Sequence, residues 1–159
     1  MHLDIKTKVG KVVIRGLKDK PGVAADIFNE LSKKRIDIIC ISFDTAIKGK
    51  ADLAFVVYES QLEETKTNLY AILYDEDNVE IFVDENVALL IFSGIEGNTQ
   101  LIADAFNLIA SSGANIEMIS SSREEVYVLI KSRLIDSVID MFKAIYPKSI
   151  VYLDGQEIW

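Results

Sequence analysis

The 159-residue chain has a single cysteine, Cys40, and a single histidine, His2. One cysteine excludes an internal disulfide framework and fits a reducing compartment. Cys40 lies in an apolar, strand-like run, the setting of a buried structural thiol rather than a nucleophile. A lone histidine at the frayed end excludes a metal site built on imidazole and a histidine-based catalytic triad. Long hydrophobic runs are missing as well. Val87 to Phe92 is the longest, far short of the about 20 residues that cross a bilayer. The opening Met1-His2-Leu3-Asp4-Ile5-Lys6 lacks the apolar segment of a secretion signal, so no membrane partner and a cytoplasmic location are expected. There is no basic excess: a net charge of −8 argues against a nucleic-acid binder, which needs a basic face.

Apolar residues make up half of the chain, enough to build one ordinary core or two small ones. An internal repeat favours two. Gly16 aligns with Gly94, an offset of 94 − 16 = 78. The same offset pairs Ala25 with Ala103, Asp26 with Asp104, Phe28 with Phe106 and Asn29 with Asn107. It continues without a gap through Ile38 with Ile116, Ile41 with Ile119 and Ser42 with Ser120. Chance gives roughly two matches in a window of about 30 residues. The chain therefore divides into residues 1–84 and 85–159, with the short Asp84-Glu85-Asn86 junction predicting that the two pack as one body.

Each copy reads strand–helix–strand–strand–helix–strand, an α+β pattern. In the first, Val12 to Leu17 is a strand, and Ala24, Ile27, Phe28 and Leu31 keep the spacing of a buried helix stripe. Ile36 to Phe43 and Leu53 to Tyr58 are strand-like, separated by the turn signal Lys48-Gly49-Lys50. A helix over Leu62 to Leu73 and a strand over Val79 to Val83 complete it. The second copy has strands at Val87 to Phe92, Ile116 to Ser120 and Val126 to Ile130. One helix carries Leu101, Ala105, Leu108 and Ile109 and stops at Gly113. Another carries Leu134, Val138, Phe142 and Ile145 and stops at Pro147. Ile150 to Leu153 can close this sheet, although His2 to Thr7 also alternates as a strand and competes for an edge there.

Asp19-Lys20-Pro21-Gly22 is the most informative stretch. Proline is tolerated in the first turn of a helix, where its missing N–H has no partner to lose. Glycine lets the backbone approach another group. The first N–H groups of the following helix point outward and favour an anion. Together they make a strand-to-helix corner with exposed donors and one carboxylate, suited to holding a small zwitterion. Backbone N–H groups of Gly22, Val23 and Ala24 can take a carboxylate, and Asp19 an ammonium. Asp37 can assist or shape the side-chain pocket, and Ile38 can offer main-chain groups and an apolar wall. Plainer roles exist for each: Asp19 as an N-cap, Asp37 and Asn115 as turn residues. The pairs Glu63-Glu64 and Glu124-Glu125 read as solvated charge.

The order of apolar strand, Asp19-Lys20-Pro21-Gly22-Val23-Ala24-Ala25, Ile27-Phe28, Leu31 and Ile36-Asp37-Ile38-Ile39 resembles the ACT domain, a ferredoxin-like module that binds amino acids. Gly113-Ala114-Asn115-Ile116-Glu117-Met118-Ile119-Ser120-Ser121-Ser122 resembles the distal ACT unit of aspartokinases. The resemblance covers about residues 9 to 146. It implies two ferredoxin-like βαββαβ units, antiparallel sheets and helices on one face. It further implies a free amino acid effector (lysine, threonine or similar), a homodimer and a metabolic enzyme as the regulated partner. Carried over by position, Asn115 and Ile116 face the first unit of a partner chain. The second copy departs from the pattern, with Gly97-Asn98-Thr99-Gln100 in place of Asp19-Lys20-Pro21-Gly22 and Arg123 in place of an acid. No Lys-rich nucleotide segment, Gly-Lys-Ser or Gly-Lys-Thr is present, so neither kinase chemistry nor a cofactor is expected of these residues.

Two other classes fit the same element order. Ala54-Phe55-Val56-Val57-Tyr58 matches the tail of an RNA-recognition strand, but Ala51 and Asp52 stand where its basic opening belongs and Leu53 replaces a stacking aromatic. Gly94-Ile95-Glu96-Gly97 mimics a nucleotide clamp, but Glu96 repels phosphate. A ligand-free dimerisation scaffold is the remaining alternative, because open sheet edges invite pairing.

Overall fold

The computed structural model describes residues 1–45 and 49–159. Lys48 of the expected turn signal lies outside the described residues. The chain opens with β1 (His2–Lys6) and β2 (Val9–Lys18). Then come α1 (Val23–Lys33), β3 (Ile38–Asp44), β4 (Lys50–Tyr58), α2 (Leu62–Leu73) and β5 (Glu80–Asp84). The second half runs β6 (Val87–Ser93), α3 (Thr99–Ser111), β7 (Met118–Ser121), β8 (Glu125–Lys131), α4 (Ile135–Ile145), β9 (Val151–Leu153) and β10 (Gln156–Glu157). Two compact units result: Val9–Glu85, and Met1–Lys8 with Asn86–Trp159.

In the unit Val9–Glu85 the strand order is β3-β4-β2-β5, all pairs antiparallel. Alternation decides the faces. Val12 and Ile14 of β2 and Leu53, Phe55 and Val57 of β4 point to the helix side, where Ile27, Leu31, Leu62, Leu69 and Leu73 cover them. Phe28 meets Phe55 edge-on at 5.6 Å, a favoured aromatic geometry. β3 begins two residues later than the apolar run suggests. Ile36 is buried beneath the end of α1, its N–H bonded to the Leu31 carbonyl at 3.3 Å, so it ends the helix rather than opening the strand.

The other unit has the order β10-β9-β1-β6-β8-β7. Its core joins Leu3, Ile5, Leu90, Phe92, Val128 and Ile130 to Leu108, Ile109, Val138 and Phe142. Here the expectations need correction. β1 is no edge: it lies between β6, antiparallel, and β9, parallel. It fills the position that a βαββαβ unit gives its last strand, because its alternating Leu3 and Ile5 are both fully buried. β9 is displaced one place outward, and the turn Asp154-Gly155 adds β10 beyond it. Asp154 and Gly155 both have positive φ, 48° and 82°, the signature of a tight hairpin turn that Asp-Gly favours. Ile145 is exposed, not inward. Tyr146, half-buried against the core, takes that place, its ring tilted against Phe142 with centroids 5.3 Å apart.

Candidate functional site

The corner between β2 and α1 is shaped by a bulge. The register of β2 on β4 shifts between Ile14 and Leu17, and Gly16 there has φ 79°. A Cβ at Gly16 would stand 2.5 Å from the Asn78 carbonyl oxygen, so only glycine fits. Its N–H donates to Asp52 Oδ1 at 3.1 Å. Past the bulge, the Asp19 N–H donates to the Gly49 carbonyl at 2.8 Å, which ties the corner to the β3–β4 loop. Neither Asp52 nor Gly49 is legible in the sequence as part of this corner, since each is brought here by strand register rather than by spacing.

Gly22 is the N-cap residue of α1, in the left-handed region at φ 90° and with no side-chain cap. Asp19 is therefore not the cap; its side chain is exposed. The first helical bond runs from the Asp26 N–H to the Gly22 carbonyl at 2.9 Å. The Val23 N–H makes only a long 3.5 Å contact with the Lys20 carbonyl. Among the described residues, the Ala24 and Ala25 N–H groups have no intramolecular acceptor. Around Gly22 there is open space: a Cβ there would meet nothing within 4 Å. Pro21 is exposed, and Val23 and Ala24 are half-buried. The corner thus offers bare amide donors beside an exposed carboxylate, at the positive end of a helix dipole.

The equivalent corner of the second copy is closed. Asn98 caps α3, its Oδ1 accepting from the Gln100 N–H at 2.9 Å and the Leu101 N–H at 3.3 Å. α3 begins at Thr99, the counterpart of Pro21 (99 − 78 = 21), two residues earlier than α1 begins. The asparagine side chain therefore occupies the counterparts of the Gly22 and Val23 donors (100 − 78 = 22, 101 − 78 = 23), which no side chain caps at the first corner.

Asp37 and Ile38 do not join the corner of their own unit. Ile38 pairs with Val57, whereas Lys18 pairs with Lys50 at the other end of β4. The 11 residues of α1 separate the two ends by about 16 Å at 1.5 Å per residue. Asp37 is exposed and its N–H is held by Gln61 Oε1 at 2.9 Å, while Gln61 Nε2 donates to the Arg35 carbonyl at 3.0 Å. Ile38 is half-buried against the core. Asn115 and Ile116, both exposed, precede β7 at the corresponding end of the second copy. Glu125 is not merely solvated charge, since it is half-buried and accepts from the Tyr127 hydroxyl. Burial pushes the Cys40 thiol up to about 11, as suits an inert structural residue. Among the described residues no group of three or more His, Cys, Asp or Glu side chains is placed to hold a metal, and no helix is long and apolar enough to cross a membrane.

No protein-family model matches the chain. In sequence it is 33% identical over 138 residues to an aspartokinase from Helicobacter pylori, covering 86% of this chain and 34% of that protein. It thus spans about a third of the length of the curated relatives it matches. In structure it matches aspartate kinase from Synechocystis with TM-score 0.87 and 25% identity, over 99% of this chain and 28% of that one. The regulatory subunit of aspartate kinase from Thermus thermophilus, in its ligand-free form, matches with TM-score 0.82 and 23% identity, over 91% and 97% of the two chains. These likenesses agree with the fold, in which each of the two units packs two helices on one face of a sheet. The chain is a tandem pair of ACT-type units, similar in sequence to part of aspartokinase and in fold to its regulatory subunits.

Proposed function

We propose that this chain is an amino-acid-sensing regulatory module of an aspartokinase rather than a catalyst. A free amino acid (lysine, threonine or similar) binds at the β2–α1 corner. Its carboxylate accepts from the N–H groups of Gly22, Val23 and Ala24, and its ammonium pairs with Asp19. The observation that carries the reading is the contrast between the corners, one with uncapped amides in open space and one filled by Asn98. Anions favour such uncapped helix starts.

Asp37, Ile38, Asn115 and Ile116 enter the site from a second chain. They lie at the opposite end of their own units from the corner, so an antiparallel neighbour can supply what the unit itself cannot. This favours a homodimer with the cleft at the seam. Occupancy is conveyed to a partner kinase as a coupling free energy, typically 1–3 kcal/mol.

A thermal-shift screen of the twenty amino acids tests this. A ligand of the folded state must raise the melting temperature by mass action, so one or a few amino acids are expected to raise it, and Asp19→Ala to abolish the rise. A flat response across all twenty would instead indicate a ligand-free scaffold.

A further inference from the structure

The helix-free face of the β10-β9-β1-β6-β8-β7 sheet carries a cavity that the regulatory reading leaves unused. It has a volume of about 450 Å³ and is lined chiefly by His2, Asp4, Ile91, Ser93, Glu125 and Tyr152. Strand register sets these side chains in two rows, His2–Ser93–Glu125 and Tyr152–Asp4–Ile91. Because Leu3, Ile5, Leu90 and Phe92 take the core face, these alternating positions point the other way.

Asp4 is the unusual member. Its Oδ2 has a distant partner, Lys6 Nζ at 3.5 Å. Its Oδ1 is shut from solvent and has no hydrogen-bond partner among the described residues. A carboxylate oxygen so placed carries a desolvation cost that a donor would relieve. His2 Nδ1 accepts from the Ile150 N–H at 3.1 Å. The lining holds two carboxylates, Asp4 and Glu125, and Lys6 beside Asp4 offsets only one of them.

The repeat provides a comparison. On the same face of the first unit, Lys11, Val13, Arg15, Phe82, Val83 and Asp84 line a cavity of about 290 Å³. Arg15 is the counterpart of Ser93 (93 − 78 = 15), and Val13 of Ile91 (91 − 78 = 13). The Arg15 guanidinium lies over the Phe82 ring at 5.0 Å, and Lys11 and Asp84 are each engaged. That cavity is lined by two cations and one carboxylate, whereas the one at Asp4 is lined by two carboxylates and no lysine or arginine.

We propose that the Asp4 cavity binds a small alkylammonium group. Asp4 is its ion-pair partner after rotation about the terminal carboxylate torsion. Ser93 and Glu125 accept its remaining N–H donors, and Ile91 and Tyr152 flank the alkyl chain, the Tyr152 ring adding attraction for the cation. This site is separate from the β2–α1 corner and needs no carboxylate on its ligand.

Saturation-transfer NMR with n-butylamine at neutral pH is the test. The probe is a cation without a carboxylate, so it cannot satisfy the amide donors beside Gly22. Saturable binding is expected, with Asp4→Asn weakening it at least about tenfold. Glu125→Gln should weaken it less, Asp19→Ala should leave it unchanged, and uncharged n-butanol should fail to compete. Absence of saturable transfer, undiminished binding by both Asp4→Asn and Glu125→Gln, or loss of binding on Asp19→Ala would each overturn the assignment.

Discussion

A methyl group added at Gly16 has nowhere to go. The backbone there is left-handed at φ 79°, and the new atom would press on the Asn78 carbonyl at 2.5 Å. Backbone cannot yield as a flexible side chain can, so Gly16→Ala should cost at least about 2 kcal/mol, read by urea denaturation. Gly22 has a similar φ but open surroundings, and its substitution carries the conformational term alone. Asp154 gives a pH signature at the same scale. Burial alone would raise its carboxyl pKa, but bonds from the Thr7 hydroxyl and N–H, with Lys8 nearby, outweigh that and hold it below the ordinary value. A carboxylate whose pKa is lower folded than unfolded contributes stability above its unfolded value, about 3.9. That contribution is lost as pH falls through the folded value. Wild type should therefore lose stability between about pH 5 and 3 more steeply than Asp154→Asn; equal slopes in urea midpoints would contradict the assignment.

Element boundaries show where sequence reasoning stops. α2 was legible over its full length, Leu62–Leu73, because an amphipathic stripe carries its own periodicity. β1 was legible as a strand but not as an interior one, since its place between β6 and β9 depends on a partner about 90 residues away in sequence. β10 escaped notice although Asp154-Gly155 is a strong hairpin signal, because only two residues pair beyond it. For the candidate site, the Asp19–Ala24 segment was readable from local turn chemistry. Placing Asp37 and Ile38 beside it was not, because strand direction puts them at the far end of α1. The two helix starts differ by one testable device. Asn98→Ala removes the cap of α3 and should cost about 1 kcal/mol, lowering the melting temperature, while leaving any amino-acid response at the β2–α1 corner intact. An unchanged melting temperature would mean that the two bonds to Asn98 contribute nothing.

The whole molecule is one supersecondary unit used twice with different finishing. Duplicated residues such as Phe28 and Phe106 keep the same role, packing a helix on its sheet. The copies diverge at the places on which both proposals rest: a helix start without a side-chain cap against a capped one, and two sheet faces whose cavities differ in charge. On the proposed reading, one corner senses the metabolite and its duplicate does not. Amide chemical-shift mapping with the amino acid selected by the thermal screen tests it most directly. The largest shifts, with the amide protons moving downfield as they bond to a carboxylate, should fall on Gly22, Val23 and Ala24, while Asn98 to Leu101 stay unmoved. Equal movement at both corners, or a silent Gly22–Ala24 segment under saturating ligand, would contradict it.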